Sequence, residues 1–465
     1  MAGLFSGLEI GKRALATHQL WLNTIGHNVA NVNTPGYTRQ RVNITSTLPE
    51  PHSAGPVGSG VHAMDIRNVR DLFLNQQYRL ERKNLGQWEA MEKTMTQIEA
   101  MFNEPNDNSL SDLMNQFWNA WEDLTQFGQT ESASARIALI EKANLMTSGF
   151  HRLANNLKDL KYSVNKDVEL LVDNINSIAY EISILNNKIA REEGGGDNAN
   201  DLRDRRDNLI DELSQYVDVN TIDLKNGATM VQIGSMILVD DQSLVPLTTK
   251  PTTVDGVRVH RIYWENSDNM VTNLNGKLKG LVETRDEVLV DYMGKLNEMA
   301  ESLVAEVNTL HRAGYGLDGT TGHDFFAGVF TSAEKIKVNF VVEQDINLIS
   351  ASQSGAIGDN ANALAIANLR DSLILNNGRA TLSEFYNALI SRVGVETSKS
   401  IQFREDYTLM VEQIENSRQS VQGVSLDEEM TQMIKFQHAF DAAARVITTM
   451  DQALEQVMNM GVVGR

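Results

Sequence analysis

The chain contains no cysteine, and this absence excludes two kinds of architecture. With no thiol among its 465 residues, the protein can form neither a disulfide framework nor a thiolate metal site. The absence suits a chain that is transported unfolded and must stay unlinked. It equally suits an ordinary cytosolic protein.

Long apolar runs are missing as well. No stretch approaches the ~18 uninterrupted apolar residues that a membrane span requires. The opening segment has neither a continuous apolar core nor a small-residue cleavage site. We therefore expect no membrane insertion and no cleaved Sec signal, so that export, if it occurs, uses another route.

Basic residues are scarce relative to acidic ones. The chain has 41 of the former and 61 of the latter, which gives a formal charge of -20. This charge favours solubility and repels nucleic acids and anionic membranes, so we expect neither as a partner. The length is sufficient for about three domains that each bury a core.

Sequence patterns that carry catalysis are nearly absent. The nine histidines include no HxxxH or HxxH pair, and no GxSxG elbow or phosphate loop is present. His18 is predicted to be a packed or interface residue. The run 201–207 alternates in charge, which favours a solvated, salt-bridged helix over a binding patch. Glu428 and Glu429 open a predicted helix, where negative charge favours the helix dipole. We expect no enzyme activity, no metal and no cofactor.

What the chain does have is an amphipathic helix at each end. In the first helix, predicted over 4–32, apolar residues recur mainly every seven positions: Leu8, Leu15, Leu22 and Val29, with Ile25 on the adjoining row. In the last helix they keep a 3-4 spacing that includes Met433, Phe436, Phe440, Ile447 and Leu454. Coiled-coil partners present such rows to each other. The pattern predicts that these residues form contacts between subunits.

Between the ends the pattern is mainly helical. Apolar periodicity and capping signals predict helices over 69–102, 110–127, 134–191, 201–213, 276–311, 381–422 and 426–460. The helix 134–191 would be roughly 85 Å long, which predicts an elongated molecule.

Three intervening segments have a different character. Residues 217–264 alternate β-branched and polar side chains between turn signals, which predicts a small inserted β domain. A further β-prone stretch covers 335–342, and 36–68 is interpreted as an extended connector.

The first helix should end at a turn whose residues are Asn31, Asn33, Thr34, Pro35, Gly36 and Tyr37. Proline lacks an amide donor and glycine accepts positive φ, so together they stop the helix and turn the chain. With its flanks, the segment 29–40 resembles the N-terminal signature of flagellar rod, hook and hook-associated proteins. Three further stretches, within 201–214, 276–311 and 423–437, resemble the hook-associated protein 1 family, and the similarity covers essentially the whole chain.

The resemblance implies a fold and an organisation. The fold class is mainly α with an inserted β domain, in an elongated multi-domain axial protein whose N- and C-terminal helices pair as a coiled coil. Residues 1–68 and 425–465 would form the terminal-helix domain with its connector, 69–215 and 275–424 a long-helix bundle, and 216–274 the outer β domain. Longer relatives carry a further β domain after the motif Phe325-Phe326. Here 333–336 follows almost at once, so we expect that outermost domain to be missing.

The resemblance also implies a function. It indicates a non-enzymatic, secreted structural protein at the junction between the hook and the filament of a bacterial flagellum, exported by the flagellar type III system and assembled as a ring. The implied partners are further copies of the chain, the hook protein, and the second junction protein or flagellin on the filament side. A cytoplasmic export chaperone would hold the C-terminal helix.

Three alternatives remain open at this point. Flagellin shares paired terminal helices, although the turn at 31–37 speaks against it. A hook or rod protein shares that turn but is mostly β between its ends. A peptidoglycan-cutting rod enzyme would need an acid pair in a cleft, whereas the acidic clusters here lie on predicted helix surfaces.

Overall fold

The computed structural model describes residues 2–49, 55, 58–102, 109–126, 128–241, 243–254, 257–265, 267–328 and 332–462. Its α-helices are α1 Ala2–Ala30, α2 Leu72–Phe102, α3 Leu110–Asp123, α4 Ala133–Glu193, α5 Asn200–Tyr216, α6 Gly276–Glu283, α7 Leu289–Ala313, α8 Phe340–Gln344, α9 Ala361–Ala367, α10 Leu382–Gln422 and α11 Leu426–Val462. Its strands are β1 Gln40–Ser46, β2 Val61–Asn68, β3 Val219–Asp223, β4 Thr229–Ile233, β5 Met236–Val239, β6 Leu247–Val254 and β7 Val257–Trp264. The predicted fold class, mainly α with a small β insertion, is confirmed.

The longest element is α4, with 61 residues and thus about 90 Å of length. Ser132 caps its first turn by accepting a hydrogen bond from the amide of Ala135, which satisfies a donor that has no partner within the helix. An apolar row at helical spacing, from Phe150 to Ile189, is buried along its whole length. No helix among the described residues combines the length and apolar character needed to cross a bilayer.

The helices α2 and α10 form a long pair that lies beside α4. We call α2 to α7 together with α10 the helical body. Trp88 stacks on Phe403 with ring centroids 4.5 Å apart. Arg404 donates to Glu92 at 2.7 Å. Where α6 crosses α2, a Cβ atom on Gly280 would overlap the backbone carbonyl of Gln87, so this crossing requires glycine.

Strands β3 to β7 form an antiparallel sheet β3-β4-β5 and a hairpin β6-β7 that pack against α4. Asparagine side chains of α4 fix both. Asn186 pairs with the amide and carbonyl of Thr229 at 3.1 and 2.8 Å, and Asn176 pairs in the same way with Leu247 at 2.8 Å. The β segment predicted over 217–264 is therefore confirmed.

Polar side chains of α7 anchor the segment that follows it. Asn308 exchanges two hydrogen bonds with the backbone of Phe326 at 2.9 and 3.0 Å. His311 donates from Nδ1 to the carbonyl of His323 at 2.7 Å and accepts from the amide of Ser350 at 3.0 Å. Burial lowers the pKa of His311 to about 4, so the imidazole is neutral.

Two of the predicted segments differ from the structure. The stretch 335–342 is not a strand: Val338 makes a single bridge to Phe326, and Asn339 then caps the short helix α8 by accepting from the amide of Val341. Local β propensity is overridden by this cap. The helix predicted to end at 127 ends at Asp123; Phe127 lies outside the described residues.

The connector is more structured than predicted. Within 36–68, β1 and β2 form an antiparallel pair with a register shift after Asn43. Farther along, the amide of Ala327 donates to the carbonyl of Lys337 at 2.9 Å. The expected lack of a further β domain after Phe325-Phe326 stays a prediction.

Candidate functional site

The two chain ends pair with each other. Contacts between Gly7 and Met450 and between Gly11 and Ile447, the stacking of Trp21 on Phe436 with centroids 4.4 Å apart, and a hydrogen bond from Asn28 to Glu429 at 3.1 Å place α1 and α11 antiparallel. The predicted pairing of the N- and C-terminal helices is confirmed. We call α1 with α11 the terminal pair.

On α11 the predicted row faces α1. Phe436 is buried, and Met433, Phe440, Ile447 and Leu454 are half-buried. The row therefore packs within the chain. Its predicted contacts with other subunits remain a prediction.

On α1 the predicted subunit-contact row stays a prediction. Ile25 is buried, but Leu8, Leu15, Leu22 and Val29 are only half-buried. Contacts with α11 are made by a contact row of Gly7, Gly11, His18, Trp21 and Asn28. A Cβ on Gly11 would lie 2.8 Å from Cγ1 of Ile447, so the glycine lets the helices approach closely.

His18 lies inside this contact row. Its ring centroid is 5.9 Å from that of Phe436, and burial lowers its pKa. The prediction that His18 is a packed residue is confirmed. Among the described residues no group of three or more histidine and carboxylate side chains is placed to hold a metal ion.

The turn after α1 forms as predicted. The amide and hydroxyl of Thr34 donate to the backbone and side-chain oxygens of Asn31 at 2.9 and 3.1 Å, and the amide of Tyr37 donates to the carbonyl of Thr34 at 3.2 Å. Asn33 and Pro35 are exposed.

Gly36 makes the sharpest change of direction in this turn. Its φ is +72°, and a Cβ there would overlap the side-chain amide of Asn208 on α5. Glycine is the residue that tolerates both conditions. The turn is thus held against the helical body.

Asn28, which is 1% exposed, organises the inner side of the turn. Its Oδ1 accepts from the hydroxyl of Tyr37 at 2.7 Å and from the amide of Gln40 at 2.9 Å. Its Nδ2 donates to the carbonyl of Gln40 at 3.0 Å and to Glu429 at 3.1 Å. One amide thereby joins α1, the strand β1 and the start of α11. Burial and the carboxylates of Asp201, Asp204 and Glu429 raise the pKa of Tyr37, so its hydroxyl remains a donor.

Asp204 on α5 binds the residues that directly follow the turn. Its carboxylate accepts from the amide and hydroxyl of Thr38 at 2.8 and 2.7 Å and from the side chains of Asn68 and Arg70. The prediction of a solvated helix over 201–207 is wrong here, because Asp204 is 4% and Arg206 is 2% exposed. Burial is tolerated because these charges are paired and hydrogen-bonded.

Arg39 connects the segment after the turn to the point where α10 ends and α11 begins. Its amide donates to the carbonyl of Gln422 at 2.8 Å, and its guanidinium donates to Val421 and Glu428 at 3.0 and 2.5 Å. Glu428 therefore does more than favour the helix dipole. We call Asn28, Tyr37 to Gln40, Asp204, Gln422, Glu428 and Glu429 the corner cluster.

The corner cluster was not identified from the sequence. The available signal was an asparagine within the last turn of an amphipathic helix, followed by four hydrogen-bonding side chains directly after the glycine. Its hydrogen bonds join α1 and α11 to α5 and α10, although the buried Nε of Arg39 has no partner among the described residues. The cluster thus connects the terminal pair to the helical body.

Replacing both Pro35 and Gly36 with alanine should disrupt the turn between α1 and β1. Alanine at 36 must overlap Asn208 or abandon the positive φ, and loss of the proline lets α1 continue. We expect proteolytic cleavage near 31–40 to become faster. Gly26→Ala is the control, because nothing lies within 4 Å of a Cβ there. Unchanged cleavage in the double variant would contradict our placement of the turn.

Comparison with known proteins agrees with this architecture. Residues 95–326 match the model described as flagellar hook-associated protein FlgK helical domain. Residues 8–38 match flagella basal body rod protein, and 415–460 match flagellar basal body rod FlgEFG protein C-terminal. The two rod matches cover most of the terminal pair and the whole turn 31–37.

Relatives match over the full length. Flagellar hook-associated protein 1 of Bacillus subtilis is 32% identical, with 100% of both chains covered, and that of Escherichia coli is 24% identical over 95% of this chain and 97% of its own. The fold resembles the flagellar hook junction protein FlgK from Burkholderia pseudomallei, with a TM-score of 0.67, 16% identity, and coverage of 74% of this chain and 100% of that one. On the full-length identity, the chain belongs to the flagellar hook-associated protein 1 family.

Proposed function

We propose that the chain is a structural protein of the bacterial flagellum, located outside the cell at the junction between hook and filament. The observation that carries the proposal is the terminal pair held at a fixed corner to an elongated helical body. An element with this shape can place one part of each subunit in an inner layer and the rest in an outer wall. The names of the full-length relatives support the same assignment.

We further propose that subunits assemble as a ring after export in an unfolded state by the flagellar type III system. The hook protein would lie on one side, and the second junction protein or flagellin on the other. The terminal pair and connector (1–68, 425–465), the long-helix bundle (69–215, 275–424) and the β insertion (216–274) would be three domains, the last facing outward. No catalytic role is included, and a lytic assay on purified cell wall should show no activity.

The first test addresses the leucines of α1. Changing both Leu15 and Leu22 to aspartate places charges on a half-buried apolar row, and each should cost on the order of 2 kcal/mol per contact. We expect filament attachment to fail while the helical body still folds. Asn23→Asp, at an exposed position of α1, is the control. Normal motility of the double variant would reject the proposal that this row serves assembly.

The second test addresses the export chaperone. We propose that Phe440 and Ile447 on α11 bind the chaperone before export and α1 after it, because apolar anchors of this spacing dominate helix-in-groove affinity. Changing both to aspartate should abolish chaperone binding, measured by calorimetry, and capping of isolated hooks. Val446→Asp, which alters an exposed neighbour, should do neither. Chaperone affinity within a few-fold of the unmodified chain would show that the chaperone site lies elsewhere.

A further inference from the structure

The chain contains three asparagine–glycine pairs, Asn226-Gly227, Asn275-Gly276 and Asn377-Gly378. Asparagine is among the chemically labile residues. A following glycine makes it more so, because glycine has no Cβ that would obstruct the approach of its amide nitrogen to the asparagine side chain. The sequence therefore supplies three candidate sites for one spontaneous reaction, and the fold distinguishes them because each pair lies in a different environment.

The reaction is deamidation by way of a cyclic imide. The backbone nitrogen of the glycine loses its proton and bonds to Cγ of the asparagine, and the side-chain nitrogen leaves as ammonia. Water then adds to either carbonyl of the imide ring. Opening at one carbonyl gives aspartate, and opening at the other gives isoaspartate, whose backbone runs through the former side chain and is longer by one carbon. Both products carry a negative charge that asparagine lacks.

The pair Asn226-Gly227 is protected by hydrogen bonds. The amide of Gly227 donates to the carbonyl of Leu224 at 3.1 Å, and Oδ1 of Asn226 accepts from the amide of Ala228 at 3.2 Å. A Cβ on Gly227, which is buried, would overlap the carboxylate of Glu193. Both reacting groups are thus engaged, and these bonds must break before the nitrogen can reach Cγ.

The pair Asn275-Gly276 is protected by packing. Gly276 is buried at the first position of α6, where a Cβ would lie 2.8 Å from the backbone carbonyl of Tyr216. The side chain of Asn275 donates to Asp218 at 3.3 Å. Closure of the imide ring requires the backbone to rotate between the asparagine and the glycine, and the contact with Tyr216 restricts this rotation.

The pair Asn377-Gly378 differs from the other two in both respects. Both residues are exposed, in the turn that precedes α10. Among the described residues, neither the side chain of Asn377 nor the amide of Gly378 takes part in a hydrogen bond. The nearest atom to a Cβ on Gly378 would be the carbonyl oxygen of Leu373 at 3.8 Å, so little obstructs rotation of the backbone. The reacting groups are therefore free to meet.

We propose that Asn377 is the residue at which the folded chain deamidates, with water as the co-reactant and with aspartate and isoaspartate as products. Isoaspartate lengthens a turn whose ends are joined by hydrogen bonds between the amides and carbonyls of Leu375 and Ala380, at 3.0 and 3.2 Å. The turn should loosen as a result. Because the loss of ammonia is irreversible in water, the modified fraction increases with the age of the molecule. The inference is independent of the proposed function.

The test compares the three pairs within one molecule. The purified full-length chain is incubated at mildly alkaline pH and sampled over time, and its peptides are analysed by mass spectrometry with electron-transfer fragmentation, which distinguishes aspartate from isoaspartate. We expect Asn377 to react at least about tenfold faster than Asn226, where two hydrogen bonds must open first, and also faster than Asn275. The same incubation in urea is the control: unfolding removes the protection, so the three rates should lie within a few-fold of each other.

Three outcomes would overturn the proposal. The first is an equal or faster reaction at Asn226 or Asn275 in the folded chain, and the second is an Asn377 that stays intact there. The third is a difference between the three rates that is as large in urea as in the folded chain, because sequence and not fold would then set the order.

Asn377→Gln is the matched variant, since glutamine must close a larger ring and reacts more slowly. The more acidic species that accumulates in the unmodified chain, seen by isoelectric focusing, should be lost in this variant. An acidic species that persists at the same level in Asn377→Gln would arise at another residue and would contradict the assignment.

Discussion

Alanine in place of Gly280 should strongly destabilise the helical body. The added Cβ would overlap the carbonyl oxygen of Gln87 and lie 3.0 Å from Cβ of Ala90. A backbone carbonyl inside a helix cannot swing aside as a flexible side chain can. The helices must separate, and overpacking of this kind costs about 3 kcal/mol.

A matched control is available on the next helix. Nothing lies within 4 Å of a Cβ at Gly294 in α7, and alanine is better than glycine in a helix by about 1 kcal/mol. Urea unfolding followed by far-UV circular dichroism should show a lower midpoint for Gly280→Ala and an equal or higher one for Gly294→Ala. Equal midpoints in the two variants would mean that α2 and α6 are not in close contact in solution.

Removal of the Asp204 carboxylate should weaken the attachment of the corner cluster to α5. Asp204→Ala leaves the amide of Thr38 without its acceptor and Arg70 without one of its two carboxylate partners, the other being Asp207. Breaking a buried ion pair from one side costs about 3 kcal/mol or more. We expect a lower unfolding midpoint and faster proteolysis between α1 and α2. Asp204→Asn keeps an acceptor for Thr38 and should be intermediate.

The control for this prediction is an ion pair of the same kind at the surface. Asp268 is fully exposed and pairs with Lys250 at 3.0 Å, so Asp268→Ala should unfold like the unmodified chain because solvent screens such pairs. If Asp204→Ala behaved like Asp268→Ala, the corner would not depend on this carboxylate.

The sequence predicted the long helices well because their signal is local. The row of α4 from Phe150 to Ile189 and the row of α11 repeat at helical spacing, and packing followed the pattern. Capping at Ser109 was also predictable, and its side chain accepts from the amide of Asp112 at 3.2 Å. Periodicity of apolar residues is the strongest such signal.

The contact row of α1 could not be predicted in the same way. Gly7 and Gly11 contribute by having no side chain, and His18 and Asn28 are polar, so a search for apolar residues selected the neighbouring leucines instead. Leu8 and Leu22 each follow a contact residue, Gly7 and Trp21, by one position, which places them about 100° around the helix from it. The reason is geometric: close approach of two helices favours small residues at the crossing, and hydrophobicity does not measure size.

The prediction for the charged segment 201–207 was wrong for a different reason. Alternating charges usually mark a solvated helix, and the sequence does not reveal that Arg70 and Thr38, more than 130 residues away, supply partners for Asp204. Pairing between residues so distant in sequence can be seen only in the folded structure. The pairing of β1 (Gln40–Ser46) with β2 (Val61–Asn68) was likewise not predicted from the sequence.

The antiparallel closure of the chain ends has a consequence for the order of folding. Asn28 and Glu429 are 401 residues apart in sequence, and loop-closure entropy makes a direct encounter of two such distant segments slow and costly. Once the helical body has formed and Gln422 has reached Asn75, only about 50 residues remain to be closed, which lowers the closure cost by roughly 2 kcal/mol. The body should therefore fold first and act as a template for the ends. The helix that is synthesised first would be among the last to reach its native partner.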